Sequence, residues 1–318
     1  MSHKVVFMGT PDFAVESLKQ IIEAGIEVAA VITSPDRPAG RGQQLRESAV
    51  KQYAVSKDLP VLQPEKLKNE AFLAELKAIN ADLFVVVAFR MLPEVVWAMP
   101  PKGTINLHGS LLPQYRGAAP INWAVINGEK ETGATTFFIE KEIDTGKVID
   151  YVKIPIEDED TAGTVHDKLM VKGAGLLTTT VKAILTTGVP SKDQTELAAG
   201  VELKHAPKIF KQDCKVDWSA DTESIYNKIR GLSPYPAAWT KLKDNKGKTK
   251  SLKLFKTKRR ISGTNNMGHI KCENDTVLFG TADGWIQILE LQLEGKKRMT
   301  IEQFSQGFNF SEAELIID

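Results

Sequence analysis

Short apolar runs alternate with segments of helical periodicity through the first half of the chain, and this alternation limits the fold more than any other feature. Lys4–Met8 reads as a strand, Gly9-Thr-Pro-Asp as a turn, and Phe13, Val15, Leu18, Ile21 and Ile22 recur at helical spacing behind them. Val28–Thr33 reads as a second strand, Glu70–Ile79 as a helix and Ala81–Phe89 as a buried strand rich in β-branched residues. Thr104–His108 follows as a strand and Pro120–Ile126 as a helix. The alternation predicts an α/β fold, a doubly wound, Rossmann-like parallel sheet covered on both faces, with a ligand at the carboxyl ends of its strands. Gly9-Thr-Pro-Asp lacks the Gly-x-Gly-x-x-Gly spacing, which argues against a dinucleotide in the first crossover.

Further on, Gly133–Glu140 and Lys147–Ile156 read as strands joined through Asp144-Thr-Gly, and Ala162–Leu185 as a long amphipathic helix. Apolar periodicity then fades, which places a linker at 190–206 between a first domain, 1–189, and a second, 207–318. Beyond Thr222–Arg230, a helix, come short strand-like runs with Gly and Asn turns: Ala238–Leu242, Ser251–Ile261, Gly268–Cys272, Thr276–Phe279 and Trp285–Leu293. They predict a smaller C-terminal β-barrel, OB-like in kind.

Composition excludes several classes. With 42% hydrophobic and 25% charged residues the chain is neither disordered nor membrane-spanning in character, and its longest apolar run, Leu83–Phe89, is far short of a span. The N-terminal residues lack a signal-type apolar region, so a cytoplasmic protein is expected. Cys214 and Cys272 have no Cys-x-x-Cys spacing, and the five histidines form no ligand-spaced cluster, so neither a disulfide framework nor a metal is expected. The net charge of +1 hides an asymmetry: residues 207–318 hold 19 Lys/Arg against 14 Asp/Glu. Ten of those cations, Lys248 and Lys250 among them, fall between Lys241 and Arg260 with only Asp244 opposing them. Such a run is either a solvated face or a contact for a phosphate backbone.

Candidate chemistry lies at the end of the Thr104–His108 strand. Side chains two apart on a strand share a face, so Asn106 and His108 point into one site. An amide donor beside an imidazole suits stabilisation of an oxyanion together with proton movement near neutral pH. The loop that follows, Ser110-Leu-Leu-Pro-Gln-Tyr-Arg-Gly-Ala-Ala-Pro, is constrained enough to present fixed backbone groups to a flat heterocycle. Asp144 is the carboxylate available to orient His108. Spacing alone does not bring the two together, and a surface turn is the alternative.

Four stretches then carry a resemblance: Phe7-Met-Gly-Thr-Pro-Asp-Phe-Ala, Pro35-Asp-Arg-Pro-Ala-Gly-Arg-Gly, Asn106-Leu-His-Gly-Ser-Leu-Leu-Pro-Gln-Tyr-Arg-Gly-Ala-Ala-Pro and Asp144-Thr-Gly. In order and spacing they resemble the folate-dependent formyltransferases, and among these the methionyl-tRNA formyltransferase family, from Lys4 to about Ile301. The resemblance implies that 10-formyltetrahydrofolate binds along Ser110, Leu111, Leu112 and Pro113. It implies that Asn106, His108 and Asp144 surround the formyl carbon, and that the acceptor amine belongs to methionine on initiator tRNA. It also implies that the loop bearing Arg37, Arg41 and Arg46 enters the acceptor end of the tRNA, with Arg41 foremost. Lys248 and Lys250 are expected to touch tRNA, and a monomer is expected. One departure is Ala88-Phe-Arg-Met-Leu-Pro, which in the family often reads Ala-Tyr-Gly-Leu-Ile-Leu-Pro. Arg90 either meets a folate carboxylate or faces solvent. A formyltransferase acting on a sugar or nucleotide amine is the rival reading, and a nucleic-acid-binding protein without catalysis is the other.

Overall fold

The computed structural model describes residues 3–39, 44–273 and 276–317. The chain divides into two compact units. The first holds residues up to Gly117 together with Glu131–Ile154 and His166–His205; the second holds Ala118–Lys130, Pro155–Val165 and the chain from Ala206 onward.

The first unit is built on a seven-stranded sheet. Its strands are β1 (Lys4–Gly9), β2 (Glu27–Ile32), β3 (Val61–Leu62), β4 (Leu83–Val87), β5 (Thr104–His108), β6 (Glu131–Phe138) and β7 (Val148–Pro155), in the order β7-β6-β5-β4-β1-β2-β3. The pairs from β3 through β5 are parallel, whereas β6 runs antiparallel to β5. The sheet is therefore Rossmann-like with a mixed edge. That edge has a local consequence, because it sets Thr135 opposite His108 and Phe137 opposite Asn106.

The central strands β1, β2 and β4 are near-continuous apolar runs, with only Lys4 and Glu27 charged at their starts, because both faces are covered. Val6, Met8, Ala30, Ile32, Phe84 and Val86 share one core with Phe72 and Leu76 of the helix Glu70–Ala78. Their neighbours Val5, Phe7, Val31, Val85 and Val87 are also fully buried, facing the other way by the period of two. The order reverses between β1 and β4, where the chain goes first to one side and then to the other, and ligands of such sheets bind at the carboxyl ends near that switch. By length and composition, the helix Ala162–Thr186 could cross a membrane. Val165, Leu169, Ala174, Leu177 and Val181 along it are fully buried, as in a core helix.

The second unit is a curled antiparallel sheet in the order β10-β11-β12-β9-β8-β14. Its strands are β8 (Ala238–Lys243), β9 (Thr249–Ile261), β10 (Ile270–Glu273), β11 (Thr276–Gly280), β12 (Gly284–Leu293), β13 (Met299–Thr300), which pairs with β12, and β14 (Glu314–Ile316). β8 alternates buried and half-buried residues, placing Ala238, Thr240 and Leu242 inside and Trp239, Lys241 and Lys243 outside. Aromatic rings run through the core: Trp218 touches Phe279, Phe279 touches Phe310, and Phe310 meets both Phe304 and Phe308, while the Trp218 Nε1–H donates to Thr240 Oγ1 at 3.0 Å. A Cβ at Gly268, just before β10, would lie 3.3 Å from Ile317, just after β14, which shows how far the sheet has curled.

Segments 118–130 and 155–165 group with this unit because of the helix Thr222–Leu232. Asn122 donates to the Gly231 carbonyl at 2.8 Å, and a side chain at Gly231 would collide with Ile126. The buried Arg230 guanidinium donates to the carbonyl of Asp160 at 3.0 Å, and the Tyr226 hydroxyl to that of Asp158 at 2.8 Å.

Candidate active site

β5 brings its polar side chains to the expected place. Asn106 is half-buried, and its amide makes no hydrogen bond to protein among the described residues. His108 is nearly buried and held from two directions. Nε2 donates to the backbone carbonyl of Tyr115 at 2.9 Å, and Nδ1 lies 3.7 Å from Asp144 Oδ2. The edge of Phe137 closes on the ring at a centroid distance of 6.5 Å. Asp144 thus joins His108, the pairing that spacing left open.

Asp144 is set by its backbone. Its φ of 55° is left-handed, an uncommon state for a residue with a side chain. Asp144 Oδ2 accepts from the Gly117 N–H at 3.1 Å. Two residues on, a Cβ at Gly146 would sit 1.8 Å from the Phe138 carbonyl oxygen, so only glycine fits there.

The loop after His108 is held from beneath. Thr135 Oγ1 donates to the Ser110 carbonyl at 2.7 Å and accepts from the Leu112 N–H at 3.1 Å. Ser110 Oγ donates to the Gln114 carbonyl at 2.6 Å. Ser110, Leu112 and Pro113 are buried, with Leu112 packed on Phe137 and Val148; Leu111 is half-exposed. Leu111 lies over Gly133, where a Cβ would come within 2.4 Å of Leu111 Cδ2. The side chains of this loop are thus mostly spent on packing.

Sequence reasoning missed Gln194, which lies in the segment read as a linker. It is 2% exposed. Its Nε2 donates to the carbonyls of Asp144 and Gly146 at 2.9 and 2.8 Å, while Oε1 accepts from Arg116 Nε and Nη2 at 2.9 and 2.7 Å. A lone Gln among polar residues has no periodicity to betray burial, so no signal in the sequence marks it.

The arginine loop is a hairpin of Arg37–Ala39 against Gln44–Arg46. Arg37 and Arg46 stand directly opposite each other and are exposed, a like-charge pair that repels unless an anion lies between. Arg41 lies outside the described residues. At the hairpin's base Asp36 is ion-paired with Lys51 and accepts from Gln63 Nε2 at 2.8 Å, and Lys51 also meets Glu47 at 2.9 Å. These bonds, first that from Lys51 and then that from Gln63, hold the Asp36 carboxyl below the usual carboxylate range.

Arg90 does not stand free in solvent. The half-buried guanidinium caps two backbone carbonyls, Nη1 donating to Glu65 at 2.9 Å and Nη2 to Pro64. Lys248 is exposed at a turn organised by Asp244, and Lys250 is half-buried on β9 opposite Leu242.

An imidazole held at Nε2 with Nδ1 facing a carboxylate, beside an amide with no protein partner among the described residues, can stabilise an oxyanion and accept a proton, as transfer of an acyl group to a nucleophile requires. The comparisons agree. The family model Formyl transferase matches residues 3–181, and Formyl transferase, C-terminal domain matches residues 208–309. The chain belongs to the formyl transferase family. It is 52% identical to a methionyl-tRNA formyltransferase of Bacteroides thetaiotaomicron, covering 97% of both chains. To the methionyl-tRNA formyltransferase of Parabacteroides distasonis it is 56% identical, over 96% of this chain and 95% of the relative.

Among solved structures, the sugar 3N-formyl transferase WlaRD, in the presence of dTDP and 5-N-formyl-THF, aligns with a TM-score of 0.64 at 19% identity. The match covers 93% of this chain and all of that one. HypX from Aquifex aeolicus aligns at 0.65 and 18% identity, over 97% of this chain and 49% of its own. These two likenesses are of fold.

Proposed function

We propose that this chain transfers the formyl group of 10-formyltetrahydrofolate to the α-amino group of methionine on initiator tRNA, for translation initiation. The observation that carries the reading is end-to-end identity of about half with relatives named methionyl-tRNA formyltransferase. The site geometry supplies a chemistry that fits.

The folate supplies a formyl carbon open to attack by an amine. The Asn106 amide, with no protein partner among the described residues, donates to the formyl oxygen as negative charge collects there. One such preorganised donor is worth on the order of a hundredfold in rate. His108 has Nε2 engaged by Tyr115, so Nδ1 takes the proton that the amine sheds, and Asp144 offsets the charge that results. As the bond between the formyl carbon and the folate nitrogen breaks, the imidazolium returns that proton to the nitrogen and tetrahydrofolate leaves. Ser110, Leu111, Leu112 and Pro113 offer the cofactor their backbone and the Leu111 side chain, since the other side chains of the loop are buried.

Residues 1–189 are assigned to catalysis and 207–318 to tRNA binding on a barrel of OB-like form; 190–206 joins them in sequence, its residues 192–205 bonded to the catalytic segments. Arg37, Arg41, Arg46, Lys248 and Lys250 are assigned to phosphates, a reading supported by the opposed Arg37 and Arg46. The enzyme works as a monomer in the cytoplasm, away from membranes.

The test is formyl transfer from 10-formyltetrahydrofolate to charged initiator tRNA and to an amino sugar, side by side, with His108→Ala as control. Transfer to the tRNA alone, abolished in the control, is expected. Preference for the amino sugar would replace this reading with the sugar-amine one.

A further inference from the structure

His108 is bonded at Nε2 by Tyr115 and faces Asp144 across 3.7 Å at Nδ1, and both of these neighbours are in the left-handed backbone region, with φ of 58° and 55°. Neither state is intrinsically favoured by a residue with a side chain, so each persists only where its surroundings over-determine it. A single stretch of chain supplies much of that restraint. Lys192 exchanges two backbone hydrogen bonds with Val148, at 2.8 and 2.9 Å, beside the Asp144 turn. Gln194 bonds the carbonyls of Asp144 and Gly146 and is itself pinned by Arg116. Further along, Gln114 donates to the Glu202 carbonyl at 2.8 Å and accepts from the Lys204 N–H at 2.9 Å, while the Tyr115 N–H donates to the Lys204 carbonyl at 2.7 Å.

We propose that residues 192–205 form a strap that positions the imidazole, with Gln194 the positioning residue that sets Asp144 against Nδ1 of His108. The inference rests on the reading of His108 and Asp144 as catalytic. Gln194 suits the task because one amide meets three groups: its NH2 bridges two carbonyls of a turn, and its oxygen takes the fork of an arginine. No other side chain of that length offers both a double donor and an acceptor. At 2% exposure water cannot substitute for it, so its loss leaves two carbonyls and a guanidinium without their partner. Displacement of a catalytic group by about 1 Å costs on the order of a hundredfold in rate, so a loosened turn is read in turnover rather than in binding.

The experiment compares Gln194→Met, Asp144→Asn and the double variant with the wild type, below the unfolding temperature of each. Gln194→Met is expected to lower kcat by about tenfold to a hundredfold with both KM values within about twofold. In the Asp144→Asn background the same substitution is expected to add little, because both act through one carboxylate. In the free enzyme labelled with 15N-histidine, Gln194→Met is expected to move the His108 ring nitrogen signals in the direction that Asp144→Asn moves them. Gln114→Ala loosens the far end of the strap from a half-buried position and is expected to lower kcat as well, which covers the case in which Gln194→Met fails to fold. Wild-type kcat in whichever of these strap variants fold, unmoved ring signals, or equal losses in both backgrounds would overturn the strap. Wild-type turnover in Asp144→Asn is a different failure: it would overturn the role of Asp144 itself, and this proposal with it.

Discussion

The backbone carbonyl of Tyr115 accepts a hydrogen bond from Nε2 of His108 across 2.9 Å. A carbonyl cannot donate, so the proton of the neutral ring resides on Nε2 and the lone pair on Nδ1 faces Asp144. The ring is thereby committed to one tautomer before any substrate arrives.

Asn106→Ala is expected to lower kcat by on the order of a hundredfold. Its side chain is half-buried and makes no protein hydrogen bond among the described residues, so the melting temperature is expected to stay near that of the wild type. Single-turnover formylation and thermal unfolding, run on one preparation, check both halves.

Thr135→Val keeps the shape of a fully buried residue but leaves the Ser110 carbonyl and the Leu112 N–H unpaired. A loss of about 1–3 kcal/mol in stability is expected from chemical denaturation. A rise in KM for the folate, with KM for tRNA unchanged, is the kinetic counterpart.

Gly146→Ala drives a methyl into the Phe138 carbonyl, and Gly133→Ala drives one to within 2.1 Å of the Val152 carbonyl. Backbone cannot step aside as a side chain can, so each is expected to cost at least about 1–3 kcal/mol. Gly188→Ala is the control: nothing lies within 4 Å there, and only its φ of 75° opposes the change.

The anchor of the arginine hairpin has a defined pH window. Lys51 and Gln63 depress the Asp36 pKa, so the anchor is complete above the ordinary value of 3.8 and is lost as pH falls through the lower folded value. Asp36 and Glu47 raise the Lys51 pKa, so its share is complete below 10.5 and is lost as pH rises through the higher folded value. NMR titration of the two side chains reads this directly, and Asp36 titrating at 3.8 would contradict it.

Arg37→Ala is expected to weaken binding of the tRNA and to reduce the slope of log affinity against log salt by about one. An unchanged slope in a salt titration would remove Arg37 from the phosphate contacts.

What could be read in advance follows from which contacts leave a pattern. β4 announces itself as an unbroken apolar run and the helix Glu70–Ala78 by its period, because burial on a regular element leaves a pattern. Asn106 and His108 follow from the same period of two. Asp144 did not, because a left-handed turn between strands carries no repeat, and only the resemblance linked it to His108. Arg90 was illegible for a related reason: its partners are the backbone carbonyls of Pro64 and Glu65, which every sequence possesses. Gln194 failed on both counts, being isolated in sequence and bonded chiefly to backbone.

The strap also bears on where such proteins can be recombined. A crossover near residue 189 looks natural, since periodicity fades there, yet it would take Gln194 and Lys204 from a foreign parent while Asp144 and Tyr115 stayed native. A junction after His205 leaves the grip on the imidazole inherited from one parent, and the contacts it then mixes are those of Asn122 with Gly231 and of Asp160 with Arg230.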